Sequence, residues 1–195
     1  MIKVGLTGGI GSGKTLVSKI FEQLRVPVFY ADTESKRLLD EDENIIFSLK
    51  KRFGEKIYSE TGIKKAKLAS LIFNNNEALN FVQSISHPKV RENFLSWSQQ
   101  QNSSYVIMEA AILFETGGYK YMDYNILVYA PEDLRLKRVT ERDGSTEEQI
   151  RERLKNQQPD EDKMDKVDWI IYNDGSTMIV PQVVELNKKI EEKIS

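Results

Sequence analysis

The chain has 195 residues, 39% of them hydrophobic and 30% charged, with a net charge of −2, one histidine and no cysteine. This length suits a single domain with inserted subdomains, and it is enough to bury a core without disulfides. The missing thiols exclude disulfides and thiolate metal sites, and the near-neutral charge argues against a nonspecific grip on nucleic acid or on an anionic membrane. No apolar run is long enough to span a bilayer, and the N-terminus lacks the layout of a secretion signal. The expectation is a soluble, cytoplasmic protein acting on small molecules, as a monomer or small homo-oligomer.

Ile2 to Leu6 read as a short buried strand, followed by the glycine-rich stretch GLTGGIGSGKT. In KTLVSKIFEQL, Leu16, Ile20, Phe21 and Leu24 fall on one helical face. VPVFYA is a second strand, so the first hundred residues open with a strand–helix–strand unit and a parallel sheet. From Asp32 to about Ser103 the periodicity is helical, interrupted at SETG and FNNNE. Strands return in SYVIMEAAILF, DYNILVYA and DWIIYN. Between the last two lie two charged helices split at Gly144, the second capped by Thr146 with Gln149 three residues on. A closing helix begins in STMIVPQ, where Pro181 is tolerable only in the first turn. Five strands interleaved with helices describe a wound α/β fold.

Gly8, Gly13, Lys14 and Thr15 satisfy G-x-x-x-x-G-K-[ST], and the loop follows a strand and opens a helix. Glycine carries an entropic penalty, so the cluster needs a reason. Without side chains in the way, the amides of Gly8, Gly9, Ile10, Gly11, Ser12 and Gly13 can converge on phosphate oxygens, aided by the helix N-terminus. Lys14 then neutralises the terminal phosphates, and the Thr15 hydroxyl is placed to hold Mg²⁺. A nucleoside triphosphate is the implied ligand.

Other candidates carry two readings each. Asp32 follows the second strand, at the edge where parallel sheets bind ligands, and would orient an acceptor hydroxyl; equally it would cap the helix TESKRLL. Glu109 ends the strand YVIME and is either a Mg²⁺ ligand through water or an ordinary strand-end acid. Arg135, Arg138 and Arg142 share one helical face, suited to a transferring phosphoryl group or simply to solvent. His87, the one histidine, precedes Pro88 and stands four residues before Arg91; the pair would face an anionic substrate or only shape its domain. Trp97 and Trp169 read as core rather than as stacking platforms.

Taken in order, these segments resemble the dephospho-CoA kinase family along nearly the whole chain. GLTGGIGSGKT matches its phosphate loop, and YADTESKRLL its Asp-Ala-Asp segment, with Asp32 at the position of the base. ISHPKVR is similar to its His-Pro segment, implying His87 and Arg91 at the acceptor site. VIMEAAILFE resembles its acidic stretch, with Glu109 and Glu115 at the acidic positions. RLKRVTERDGSTEEQIRERLKNQ is similar to its lid, putting Arg138, Arg142, Arg153 and Gln157 on family positions, and VDWIIYNDGS places Asn173 and Gly175 near the adenine. Tyr30 stands where that family has its first acid, and Ala111 where it has proline.

The resemblance implies an adenylate-kinase-like P-loop fold with a five-stranded parallel core from residues 1–30, 104–133 and 164–195, a helical acceptor-binding insertion at 31–103 and a helical lid at 134–163. It also implies transfer of the γ-phosphoryl of ATP, with Mg²⁺, to the ribose 3′-hydroxyl of dephospho-CoA. Lys14, Arg138 and Arg142 would join Asp32 in the chemistry. A nucleoside or nucleotide kinase on the same fold, or an ATP-binding switch with no acceptor, are the competing expectations.

Overall fold

Strand β1 (Ile2–Thr7) turns into α1 (Lys14–Gln23) and then β2 (Val28–Tyr30). The chain continues through α2 (Ala31–Glu41), α3 (Glu43–Phe53), β3 (Tyr58–Ser59), β4 (Gly62–Ile63), α4 (Lys65–Ile72) and α5 (Asn76–Gln99). It ends with β5 (Tyr105–Glu109), β6 (Tyr124–Tyr129), α6 (Glu132–Asp143), α7 (Glu147–Leu154), α8 (Glu161–Met164), β7 (Trp169–Tyr172) and α9 (Ile179–Ile194). The structure is a computed structural model that describes residues 1–73, 75–144, 146–155 and 157–194, with the backbone alone for Arg153. It divides into two compact units, Met1–Tyr30 with Ser98–Ser195, and Ala31–Trp97.

The first unit is built on a parallel sheet of order β2-β5-β1-β6-β7. A sheet of this kind is covered on both faces, so its strands read as near-continuous apolar runs, as KVGL and YVIM do. Val4, Leu6, Tyr105, Ile107, Ile126, Val128 and Ile171 pack with Val17 and Phe21 of α1 and with Val183, Leu186 and Ile190 of α9. Of the expected stripe of α1, Phe21 is fully buried and Ile20 and Leu24 pack against the core, but Leu16 is half exposed and Val17 is buried in its stead. Both positions are apolar, so periodicity alone could not choose between them. Both tryptophans are half-buried; Trp169 packs against this core, and Trp97 stacks on the buried Phe94 of α5.

Local chemistry explains the helix ends. Asp42 caps α3 by accepting from the amides of Asn44 at 3.1 Å and Ile45 at 3.0 Å. Gly144 closes α6 in a left-handed conformation at φ 63°. Thr146 and Gln149 form the expected reciprocal cap, each amide donating to the other's side chain, at 3.1 and 3.3 Å. Pro181 is the third residue of α9, where its missing N–H has no intrahelical partner to lose.

The described residues of the second unit are mostly helical; SETG breaks the helices not as a plain loop but as the tip of a two-stranded hairpin. Helices α4 and α5 are separate at FNNNE, of which Asn74 lies outside the described residues. Tyr58 pairs with Ile63 and Ser59 with Gly62, while Asp40 of α2 accepts from the Ile63 amide at 2.7 Å. Strands of two residues are too short to show alternation, so the sequence gives no sign of them. The long α5 runs through Pro88. Among the helices of the described residues, none is long and apolar enough to cross a membrane.

Phe21 is a fully buried aromatic in the core between the sheet and the helices. Phe21→Ala is expected to lower unfolding free energy by about 3–5 kcal/mol, read as a drop in the urea midpoint with an unchanged m-value.

Candidate active site

The row of residues at the carboxyl end of the sheet defines the site's floor. Leu6 is in register with Glu109, and Glu109 with Tyr30, so the chain leaves β1, β5 and β2 at one level. In open parallel sheets this edge is where ligands bind. The phosphate loop leaves from β1, the central strand, with neighbours on both sides.

The loop is held by side chains from distant segments of the same unit. Lys14, buried at the start of α1, donates from Nζ to the Gly8 carbonyl at 2.7 Å, folding its stem back along the loop. Ser12 carries a buried hydroxyl oxygen with no hydrogen-bond partner, although its amide donates to the Gly9 carbonyl at 3.0 Å. The Ser12 carbonyl accepts from Asn173 Nδ2 at 2.7 Å. Gly13 has φ 98°, and a Cβ there would collide with that Asn173 amide, so glycine is needed twice over. Asn173, one residue past β7, donates its own amide to the Tyr129 carbonyl at 2.8 Å.

Arg138 of α6 reaches the same point. Its guanidinium forks onto the Asn173 carbonyl at 3.0 Å and Oδ1 at 3.1 Å. The resulting chain of contacts runs from α6 through the end of β7 to the loop. Arg142, one turn on, is exposed and paired with its neighbour Asp143 at 2.7 Å, which raises its pKa. Arg135 is the buried member of the face, with its Nε unpartnered and its NH1 3.9 Å from Asp160. Ile10 packs its side chain on Leu136 and Val139 of α6 and Ile150 of α7. Gly175 follows Asp174, whose carboxylate accepts from the amides of Thr177 and Ser176, both at 2.9 Å. Those bonds, to Thr177 first and then Ser176, hold the Asp174 carboxyl down at about 2.

Glu109 is buried at the end of β5. Tyr30, in register with it, donates its hydroxyl to Glu22 of α1 at 3.0 Å. Burial first, then Glu22 and Glu109, push the tyrosine pKa up to about 12, so the position that resembles an acid elsewhere is here a neutral donor. Glu115 accepts from Lys163 Nζ at 3.1 Å and from the Gln158 amide at 2.7 Å. Gln157 bridges the Ile10 amide and the Ala111 carbonyl, both at 3.0 Å. The side chain of Arg153 lies outside the described residues. Thr15 is exposed in the first turn of α1.

In the second unit, Asp32 is the second residue of α2, exposed, and two residues beyond Tyr30 along the chain. His87 lies on α5 and is half-buried, as is Arg91 one turn later. Burial holds the imidazole pKa below its ordinary 6.5, against the opposing pull of the Asp32 charge. The histidine and the aspartate thus sense one another within this unit. Asp160 and Lys163, both buried, went unnoticed in the sequence because QPDEDKMDK reads as a solvated loop; only their spacing of three hinted at a pair.

A glycine-rich loop at the end of a central parallel strand, with a lysine folded along it and an arginine-bearing helix beside it, defines a P-loop nucleotide-binding fold, the fold that P-loop kinases share. The fold likeness extends to the shikimate kinase from Acinetobacter baumannii in complex with shikimate, at 14% identity, a TM-score of 0.55 and coverage of 99% of this chain and 94% of that one. The family itself follows from sequence. The dephospho-CoA kinase family model matches residues 2–178, and a dephospho-CoA kinase of Bacteroides fragilis is 39% identical over 194 residues, covering 99% of this chain and 95% of that protein. The structure of the dephospho-CoA kinase from Campylobacter jejuni superposes with a TM-score of 0.72 at 28% identity, covering 99% and 98% of the two chains. The chain belongs to the dephospho-CoA kinase family, ATP-dependent enzymes of the final step of coenzyme A biosynthesis.

The depressed pKa of His87 makes a signed prediction. The unfolded chain binds this proton more readily than the folded one, so the neutral ring's contribution is complete above pH 6.5 and is lost as pH falls below it. His87→Gln should flatten the decline in stability between about pH 7 and 5 relative to wild type, as measured by urea midpoints across that range.

Proposed function

We propose that this chain moves the γ-phosphoryl group of ATP onto the ribose 3′-hydroxyl of dephospho-CoA, with Asp32 orienting the acceptor. The observation that carries the reading is the phosphate loop at the carboxyl edge of the sheet, braced and led by Lys14, in a chain of this family. Lys14 takes the triphosphate together with the loop amides other than those of Gly9 and Ile10, whose N–H groups donate to Asp160 and Gln157. The acceptor oxygen bonds the γ-phosphorus in line, the bond to the bridging oxygen of the departing ADP breaks, and the hydroxyl proton passes to the Asp32 carboxylate. A carboxylate is a weak base for an alcohol, so placement of the hydroxyl matters more than early proton removal. Because the transition state is loose, charge complementarity supplies most of the acceleration, the role given to Arg138 and Arg142.

Thr15 and Glu109 offer a hydroxyl and a carboxylate, the hard oxygen donors that suit Mg²⁺ when the nucleotide and water complete the shell. They are the residues proposed to hold it, directly or through water; bound there, the ion would neutralise charge on the phosphates. His87, Arg91 and Glu115 are assigned to the acceptor, and Asn173 and Gly175 to the adenine side. The Arg138–Asn173 fork supports placing both near the nucleotide.

Two measurements test this reading. With MgATP and a panel of alcohol acceptors, mass analysis should find phosphate added to dephospho-CoA; phosphorylation of nucleoside monophosphates alone would overturn the acceptor. Asp32→Asn should reduce transfer by about two to four orders of magnitude while ATP affinity stays near that of wild type. Wild-type turnover in that variant would remove Asp32 from the chemistry.

A further inference from the structure

The best-buried charged side chains of the first unit gather behind the outer arm of the phosphate loop. Asp160 is 1% exposed and Lys163 is 0% exposed. Asp160 Oδ2 accepts from the Gly9 amide at 3.0 Å, and its Oδ1 lies 3.4 Å from Lys163 Nζ. Lys163 reaches on to Glu115 at 3.1 Å, and Arg135 stands 3.9 Å from Asp160 on the other side. One residue along the loop, the Ile10 amide donates to Gln157. The two cations and two carboxylates cancel, as a buried ionic group must to be tolerated.

The glycine at position 9 belongs to this group. A Cβ there would collide with the Arg135 guanidinium and stand 2.9 Å from Asp160 Oδ2. Its φ is not among the left-handed ones, unlike those of Gly11 and Gly13. Gly9 is thus a glycine because charged side chains approach it from behind.

A carboxylate beside a phosphate-binding turn is electrostatically unwelcome unless it does something for the turn. Here it takes up the Gly9 N–H and fixes the peptide plane, while Gln157 fixes the next. We propose that Asp160 is a positioning residue that holds the outer arm of the phosphate loop in its nucleotide-receiving form before ATP arrives. Lys163 and Arg135 compensate its charge, and Gln157 assists. The inference rests on the reading that this loop takes the triphosphate. It assigns Gln157 and Asp160, which precede α8, to the phosphate site, in addition to the helices beside it. Preorganisation of this kind lowers the ordering cost at the moment of binding and raises affinity without a new contact to ligand.

Three variants separate acceptor, charge and fold. In Asp160→Ala the Gly9 amide loses its partner; in Asp160→Asn an oxygen remains to accept it, while in both Arg135 loses the carboxylate beside it and Lys163 keeps only Glu115. ATP titration should show a dissociation constant raised about tenfold in Asp160→Ala and close to wild type in Asp160→Asn. The melting temperature should fall in both. A purely structural role would instead make affinity follow stability. In nucleotide-free protein, exchange of the Gly9 amide, followed by NMR, should accelerate in Asp160→Ala and not in Asp160→Asn. Gln157, only half-buried, provides a variant with less risk to folding: Gln157→Met should weaken ATP binding and speed exchange at Ile10. Wild-type ATP affinity in folded Asp160→Ala or Gln157→Met, or equal losses in Asp160→Ala and Asp160→Asn, overturns the inference. Wild-type protein that takes up no ATP overturns the nucleotide reading, and this inference with it.

Discussion

The first unit depends on how one short turn of backbone, Gly8 to Gly13, is held at the end of its central strand. Left alone, a segment this rich in glycine would sample many conformations, and ordering it would oppose nucleotide binding. The structure answers with contacts from four side chains. Lys14 folds onto the Gly8 carbonyl, Asp160 and Gln157 take the amides of Gly9 and Ile10, and Asn173 takes the Ser12 carbonyl. The Ile10 side chain is anchored separately, on the α6–α7 cluster. Only when these are in place does the loop become a defined anion receptor rather than a flexible turn.

The electrostatics around it separate into two kinds. Behind the loop, Asp160, Lys163 and Arg135 are out of water and Glu115 is partly so, and each depends on the others; an unmatched charge there would be costly. On the outer surface, ion pairs such as Arg142 with Asp143 or Arg151 with Glu147 are exposed and contribute little to stability. Arg138 lies between these limits. Its half-buried guanidinium is shared by the carbonyl and side chain of Asn173, which links the orientation of α6 to the carbonyl of Ser12. A substitution at Asn173 would therefore reach both the helix and the loop.

Much of this was legible beforehand, for reasons that differ by residue. The Walker A spacing is local, so Gly8, Gly13, Lys14 and Thr15 announce their task without a fold. Thr146 with Gln149, Gly144 and Pro181 act over single turns, and each did what its chemistry required. Leu16 against Val17 was not decidable, since both are apolar and only contact with the sheet selects the buried one. The hairpin at Tyr58–Ile63 escaped notice because two-residue strands have no period. Asp160 and Lys163 were unreadable for a stronger reason: charged residues in a polar stretch look like surface until partners far along the chain bury them.

By itself, then, the amino-acid order determined the features that short-range rules govern: the phosphate-loop pattern, the caps, the breaks between helices, the alternation of strands with helices, and the likeness to one kinase family. The three-dimensional arrangement decided what acts across distance. It selected which side of α1 is dry, and it turned Gly9 toward Arg135 and Asp160 rather than toward open space. The division has a physical origin. Backbone sterics and adjacent hydrogen bonds involve neighbours a few residues apart, whereas burial and charge pairing depend on which remote segments meet.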